Sequence, residues 1–172
     1  MSENVSGYIL NFVIPQGPTG PQGEQGITGP TGPSFTNAYG GKYNDTSSSY
    51  TVQEKGILTV PLPHSMPSLN MSYGSGNNIT VQEAGVYELN YYCNLSTSIA
   101  TTITLAIRNN ETSLFKNILV STLNNDFTFN GSIILSLNSN SVLDMYLSTS
   151  SSIVTISLKD GLNASLSLKK IG

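Results

Sequence analysis

Residues 17–34 read Gly-Pro-Thr, Gly-Pro-Gln, Gly-Glu-Gln, Gly-Ile-Thr, Gly-Pro-Thr, Gly-Pro-Ser: six glycine-led triplets with no interruption. Glycine holds Gly17, Gly20, Gly23, Gly26, Gly29 and Gly32, and proline follows it at Pro18, Pro21, Pro30 and Pro33. Three polyproline-II chains wind about one axis only if every third residue brings no side chain there. Proline pre-sets φ near the value such a chain needs and lowers the ordering cost. A flexible linker needs glycine but no phase. The strict phase therefore predicts a collagen-like stalk, and a collagen helix of identical chains predicts a homotrimer. At about 3 Å per residue the run spans only ~50–55 Å. So short a helix is marginal alone, and another part of the chain has to hold three copies in register. A trimerising C-terminal domain would do so by raising the effective concentration of the stalks. The chain divides accordingly into an N-terminal leader or attachment segment over residues 1–16, the stalk over 17–34 and a head over 35–172.

From Phe35 onward the period is two. Tyr87, Leu89, Tyr91, Cys93 and Leu95 fall at every second position, as do Ile103, Leu105 and Ile107. Phe127, Phe129, Ile133, Leu135 and Leu137 share one parity around Gly131. Leu143, Met145 and Leu147 repeat the pattern, and Ala164, Leu166 and Leu168 repeat it near the C-terminus. Strict alternation of this kind predicts half-buried antiparallel strands, with these residues as the core of the head. Between the runs lie loop signals: Ser75-Gly76-Asn77-Asn78, Asn109-Asn110, Asn124-Asn125-Asp126, Asn138-Ser139-Asn140 and Lys159-Asp160-Gly161. Asp160-Gly161 reads as a tight hairpin. Strands of this number and spacing predict an all-β sandwich or barrel, with no helical apolar stripe. The second face is Asn, Ser and Thr, broken by Ile134, Tyr92 and Ile171, which a trimer would bury between subunits.

Composition excludes several functions. The 172-residue chain is only 10% charged, with a net charge of −3. Its seven basic residues, Lys42, Lys55, Arg108, Lys116, Lys159, Lys169 and Lys170, form no stripe for nucleic acid. Cys93 is the sole cysteine, so no internal disulfide framework exists, and it reads as a small buried hydrophobe. The sole histidine, His64, sits in the Pro-rich run 61–67, which reads as a loop, and neither it nor Ser65 has the company of a catalytic triad. Glu83, Glu88, Asp126, Asp144 and Asp160 fall on different strands and turns, and turn propensity accounts for Asp126 and Asp160. No Cys/His metal spacing and no phosphate-cradling loop is present. The expectation is a protein with no catalytic site, no cofactor and no metal. The eight Asn-x-Ser/Thr tripeptides follow from composition. Neither a signal peptide nor a membrane-spanning window is visible.

A Gly-Pro-Thr-rich stalk joined to such a head resembles the BclA-type collagen-like glycoproteins of the bacterial spore exosporium. The likeness rests on Ile79-Thr80-Val81-Gln82-Glu83-Ala84-Gly85-Val86-Tyr87-Glu88-Leu89, on Thr104-Leu105-Ala106-Ile107-Arg108-Asn109, and on the ending Ala164-Ser165-Leu166-Ser167-Leu168-Lys169-Lys170-Ile171. It implies an antiparallel jelly-roll sandwich like the complement and tumour-necrosis-factor trimers, and a structural role in the outer nap of a spore. It implies O-linked sugars on the stalk, at Thr19, Thr28 and Thr31. It also implies attachment of the leader to a spore basal-layer protein. Two departures stand out: the stalk is short for that family, and the leader lacks a clear anchoring motif. A ligand-binding head recognising a host protein or glycan, and a phage or prophage fibre, remain alternatives.

Overall fold

The computed structural model describes Met1, Gly7 and residues 12–29, 35–54, 56–121, 126–151 and 153–172. The chain forms two compact units, Met1–Pro33 and Ser34–Gly172. In the first, residues 12–29 are exposed and lie outside any helix or strand. Gly32, Thr31, Pro30 and Pro33 lie outside the described residues, as do the loop residues Asn124 and Asn125.

Among its described residues the second unit has strands, turns and loops and no helix. The strands are β1 (Tyr39–Asn44), β2 (Ser48–Gln53), β3 (Ile57–Thr59), β4 (His64–Ser65), β5 (Met71–Tyr73), β6 (Ile79–Val81) and β7 (Gly85–Thr97). They continue as β8 (Thr101–Asn109), β9 (Thr112–Ser121), β10 (Asp126–Leu137), β11 (Val142–Thr149), β12 (Ile153–Leu158) and β13 (Ala164–Lys170). Two antiparallel sheets result. One holds β1, β2, β4, β7, β10, β12 and β13; the other holds β3, β5, β6, β8, β9 and β11.

Alternating apolar residues close the space between the sheets. Tyr87, Leu89, Cys93, Leu95, Ile103, Leu105, Ile107, Leu143, Met145, Leu147, Ala164 and Leu166 are fully buried, and Tyr91, Phe129, Leu137 and Leu168 nearly so. Phe127, Ile133 and Leu135 are partly buried and pack against this core. Their strand, β10, pairs only with β7 among the described residues. Polar groups enter the core where the backbone needs partners. The Lys42 Nζ donates to the Gly76 carbonyl at 2.8 Å, and burial pushes its pKa down. The fully buried Asn163 donates through Nδ2 to the carbonyls of Thr46 and Lys159, at 3.0 and 2.7 Å.

Three local readings change. Asp160-Gly161 is not the turn of a hairpin, because β12 and β13 do not pair with each other. Both run antiparallel to the same edge of β7: Leu158 faces Leu95, the Asn94 N–H donates to the Asn163 carbonyl at 2.7 Å, and Ala164 faces Cys93. The intervening residues loop out of what is otherwise one long partner strand, with Gly161 at φ +79°. A dipeptide fixes a tight reversal but not whether the chain continues along the same neighbour. Asp126 is the first residue of β10 rather than a turn residue, and its carboxylate pairs with Lys159 at 2.6 Å. His64 lies in a strand, paired opposite Tyr43, and its Nε2 is 3.1 Å from Asp45.

Gly131 has a packing cause. It faces Tyr91 across the β7–β10 ladder. A Cβ there would fall 2.5 Å from the Tyr91 hydroxyl oxygen and 2.8 Å from the ring carbon that bears it. That ring is held by Phe115 at 5.6 Å between centroids and by the Asn117 amide at 3.3 Å. Gly131→Ala should therefore displace a buried aromatic and destabilise the head by about 1–3 kcal/mol, read as a lower midpoint in chemical denaturation. An unchanged midpoint would show that the tyrosine moves freely.

Candidate functional site

The outward face of the seven-stranded sheet is a patterned surface of the head. Its residues align in rows set by register. Tyr43, Ser165, Tyr92 and Asn130 form one row across β1, β13, β7 and β10. Gly41, Ser167, Asn90 and Ser132 form the next, and Tyr39, Lys169, Glu88 and Ile134 the one after. Towards the other end Ser49, Ser157, Ser96 and Asp126 line up across β2, β12, β7 and β10. The hydroxyls are partly engaged with one another, Ser49 with Ser157 at 2.8 Å, and the Ser132 hydroxyl donates to the Glu88 carboxylate at 3.3 Å. Short neutral side chains dominate these rows. In the third row Lys169 faces Glu88, so opposite charges are neighbours. Such a face has little charge to desolvate, which is the compositional mark of an interface core.

Two edge strands flank this face. The β9 strand ends the six-stranded sheet and β10 ends the other. They share a flank, because Phe115 and Asn117 of β9 both contact Tyr91, the residue opposite Gly131 of β10. A β-bulge at Leu114 shifts the register between β8 and β9, so Ile107 faces Phe115 and Arg108 faces Ser113. Beyond the bulge Ile118 and Val120 point outward, 64% and 73% exposed, and Ile134 on β10 is 64% exposed. Edge strands with exposed branched apolar residues invite pairing or packing against another chain unless they are covered. Of the apolar residues read as outward-facing, Ile134 and Ile171 are exposed and Tyr92 half-buried. Ile118 and Val120 flank Leu119, which packs against the core, so the continuous apolar run 118–120 hides the period of two.

Other groups offer little chemistry. Among the described residues no cluster of His, Cys, Asp and Glu could hold a metal ion. The Tyr87 hydroxyl donates to the Glu83 carbonyl at 2.6 Å, and burial together with the Glu83 charge pushes its pKa up. Of the stalk residues, Thr19 and Thr28 are exposed, as are Gly17, Gly20, Gly23, Gly26 and Gly29.

These pairings and layers define a tumour-necrosis-factor-type jelly roll. The structure is similar to that of murine APRIL, with a TM-score of 0.54 and 10% identity over 79% of this chain and 100% of that one. It is similar also to Eiger TNF from S. frugiperda, with a TM-score of 0.56 and 13% identity over 79% of this chain and 92% of that one. Identities this low carry the fold alone. Residues 40–172 match the model of the BclA C-terminal domain, and the chain belongs to that family. No curated protein sequence matches the chain.

Cys93 is fully buried, and burial pushes its pKa up to about 12 from 9.0. Native protein should leave this thiol unreactive towards a disulfide reagent, and denaturant should expose it. The sign for stability follows. The folded state resists losing the proton, so the thiol's contribution is intact below pH 9.0 and is lost as pH rises towards about 12. Cys93→Ala should flatten that part of the stability profile. Rapid labelling of the folded protein would contradict the burial.

Proposed function

We propose that the chain is a non-enzymatic structural protein of a bacterial spore surface. The head, residues 35–172, associates as a homotrimer through the outward face of its seven-stranded sheet and the β9 and β10 edges. That association holds three Gly-X-Y segments, residues 17–34, in register and lets them wind into a stalk. Residues 1–16 attach the assembly to a basal-layer protein, and the projected heads form part of the outer nap. Membership of the BclA C-terminal domain family supports the spore surface as the location. The exposed Thr19 and Thr28, with Thr31, are the proposed positions for O-linked sugars.

One observation carries this reading. A Cβ added at Gly17, Gly20, Gly23, Gly26 or Gly29 meets no atom within 4 Å. The glycine phase therefore has no steric cause within one chain. Three chains around a common axis supply that cause, because the axis admits only hydrogen at every third position.

Gly26→Asp in the full chain tests it. The positive far-ultraviolet band of a triple helix, and its melting transition, should be lost from the circular dichroism spectrum. The β signal of the head and its denaturation midpoint should stay as they were. A parent protein showing no such band at low temperature, with a spectrum indifferent to the substitution, would make residues 17–34 a linker.

A further inference from the structure

A cleft of about 390 Å³ opens on the outward side of the six-stranded sheet, lined by Asn78, Arg108, Asn110, Glu111, Val142 and Asp144. We propose that it binds one neutral pyranose ring of a glycan. This inference does not rest on the stalk or the trimer, since all six residues belong to one head.

Its walls are held in place. Arg108 and Asp144 face each other on β8 and β11. The guanidinium Nε donates to Asp144 Oδ1 at 2.8 Å, and Nη2 donates to Oδ2. The hydrogen bond to Asp144 is the main cause that raises the Arg108 pKa. Behind the pair, Arg108 lies 4.8 Å over the Tyr146 ring, whose hydroxyl bonds Ser113 at 2.9 Å. Asn110 Oδ1 accepts from the Val142 N–H at 3.1 Å, which leaves its amide NH₂ as a donor. A site fixed in this way loses little freedom when a ligand arrives.

The turn that forms one wall is built against local preference. Asn110 and Glu111 have φ of 47° and 67°. The two-residue β8–β9 connection is of the primed type, which favours Asn-Gly. Asn110 suits its position. Glu111 occupies the one where glycine costs least, and it is one of the residues that line the cleft. Strain at a non-glycine residue points to a side chain retained for what it does.

Charge and hydrogen-bonding capacity select the ligand class. Arg108 and Asp144 cancel, and Glu111 leaves the cleft net negative, which disfavours phosphate and acidic sugars. A cation would find no set of three acidic or imidazole groups among the described residues. The lining combines carboxylate acceptors, at Glu111 and Asp144, with amide and guanidinium donors, at Asn78, Asn110 and Arg108. Each sugar hydroxyl donates one hydrogen bond and can accept two, so vicinal hydroxyls call for a wall that holds both acceptors and donors, as this one does. Val142 supplies an apolar patch for the C–H face of a ring, and the volume is at the small end of ligand pockets.

The experiment is a saturation-transfer NMR titration of the full chain with methyl α-D-mannopyranoside, methyl α-D-glucopyranoside and N-acetylglucosamine. Glucuronate and inorganic phosphate serve as anionic probes. At least one neutral probe should show saturable transfer with half-saturation of about 1–10 mM. That affinity should fall at least ~10-fold in both Asn78→Ala and Glu111→Gly. Glu111→Gly relieves the turn, so its melting temperature should be unchanged or higher, which separates lost binding from lost folding. The proposal is overturned if no neutral probe gives saturable transfer at about 100 mM, if both variants bind as the parent does, or if an anionic probe binds more tightly than every neutral one.

Discussion

Strand β7 is hydrogen-bonded along both edges, to β10 on one side and to β12 and β13 on the other. The remaining architecture follows from that placement. Its odd-numbered residues from Tyr87 to Leu95 fill the core, while Glu88, Asn90, Tyr92 and Asn94 lie in the middle of the opposite face. Period-two geometry forces the two roles onto one segment. A one-residue slip of β7 would exchange them, placing Leu89 in solvent and Asn90 in the core. Twelve cross-strand pairs to β10, and the long continuous partner made by β12 and β13, hold the register against such a slip.

The face opposite the core is informative because it is so nearly uncharged. A spore-surface layer and a trimer interface both tolerate Ser, Thr and Asn, but they differ in what they ask of the edges. Solvent-facing edges in monomers tend to carry lysine or proline or to be short. Here β9 and β10 are long, and although β9 carries Lys116 outward, the two strands also carry Ile118, Val120 and Ile134 outward. Packing these edges against a second and third head would remove apolar area from water. The loss of chain freedom in winding a short stalk would then be met largely by the head, through effective concentration rather than by new contacts.

Much of this was legible in the sequence, and the limits have physical causes. Alternation in residues 86–95, 102–108 and 143–147 identified strands correctly because those strands are long and have one apolar face each. Residues 39–81 gave no such signal. The short strands β3, β4, β5 and β6 are held by main-chain bonds and by single buried anchors within or beside them, such as Val60 and Leu62 between β3 and β4 and Ile79 in β6. The relation between β12 and β13 was misread because turn chemistry is local, whereas collinear pairing to β7 is a tertiary fact. Buried polar groups such as Lys42 and Asn163 were invisible for the same reason. Their partners, Gly76 and Thr46, are far away in the chain. The Arg108–Asp144 cleft is likewise a product of register, since nothing in either residue's neighbours announces the other.

The central claim is that the β-rich head brings three identical chains together without help from the stalk. Sedimentation equilibrium on a chain truncated to residues 35–172 tests it most directly. The account predicts a single species of three times the chain mass, persisting at micromolar concentration. A mass of one chain under those conditions would contradict it.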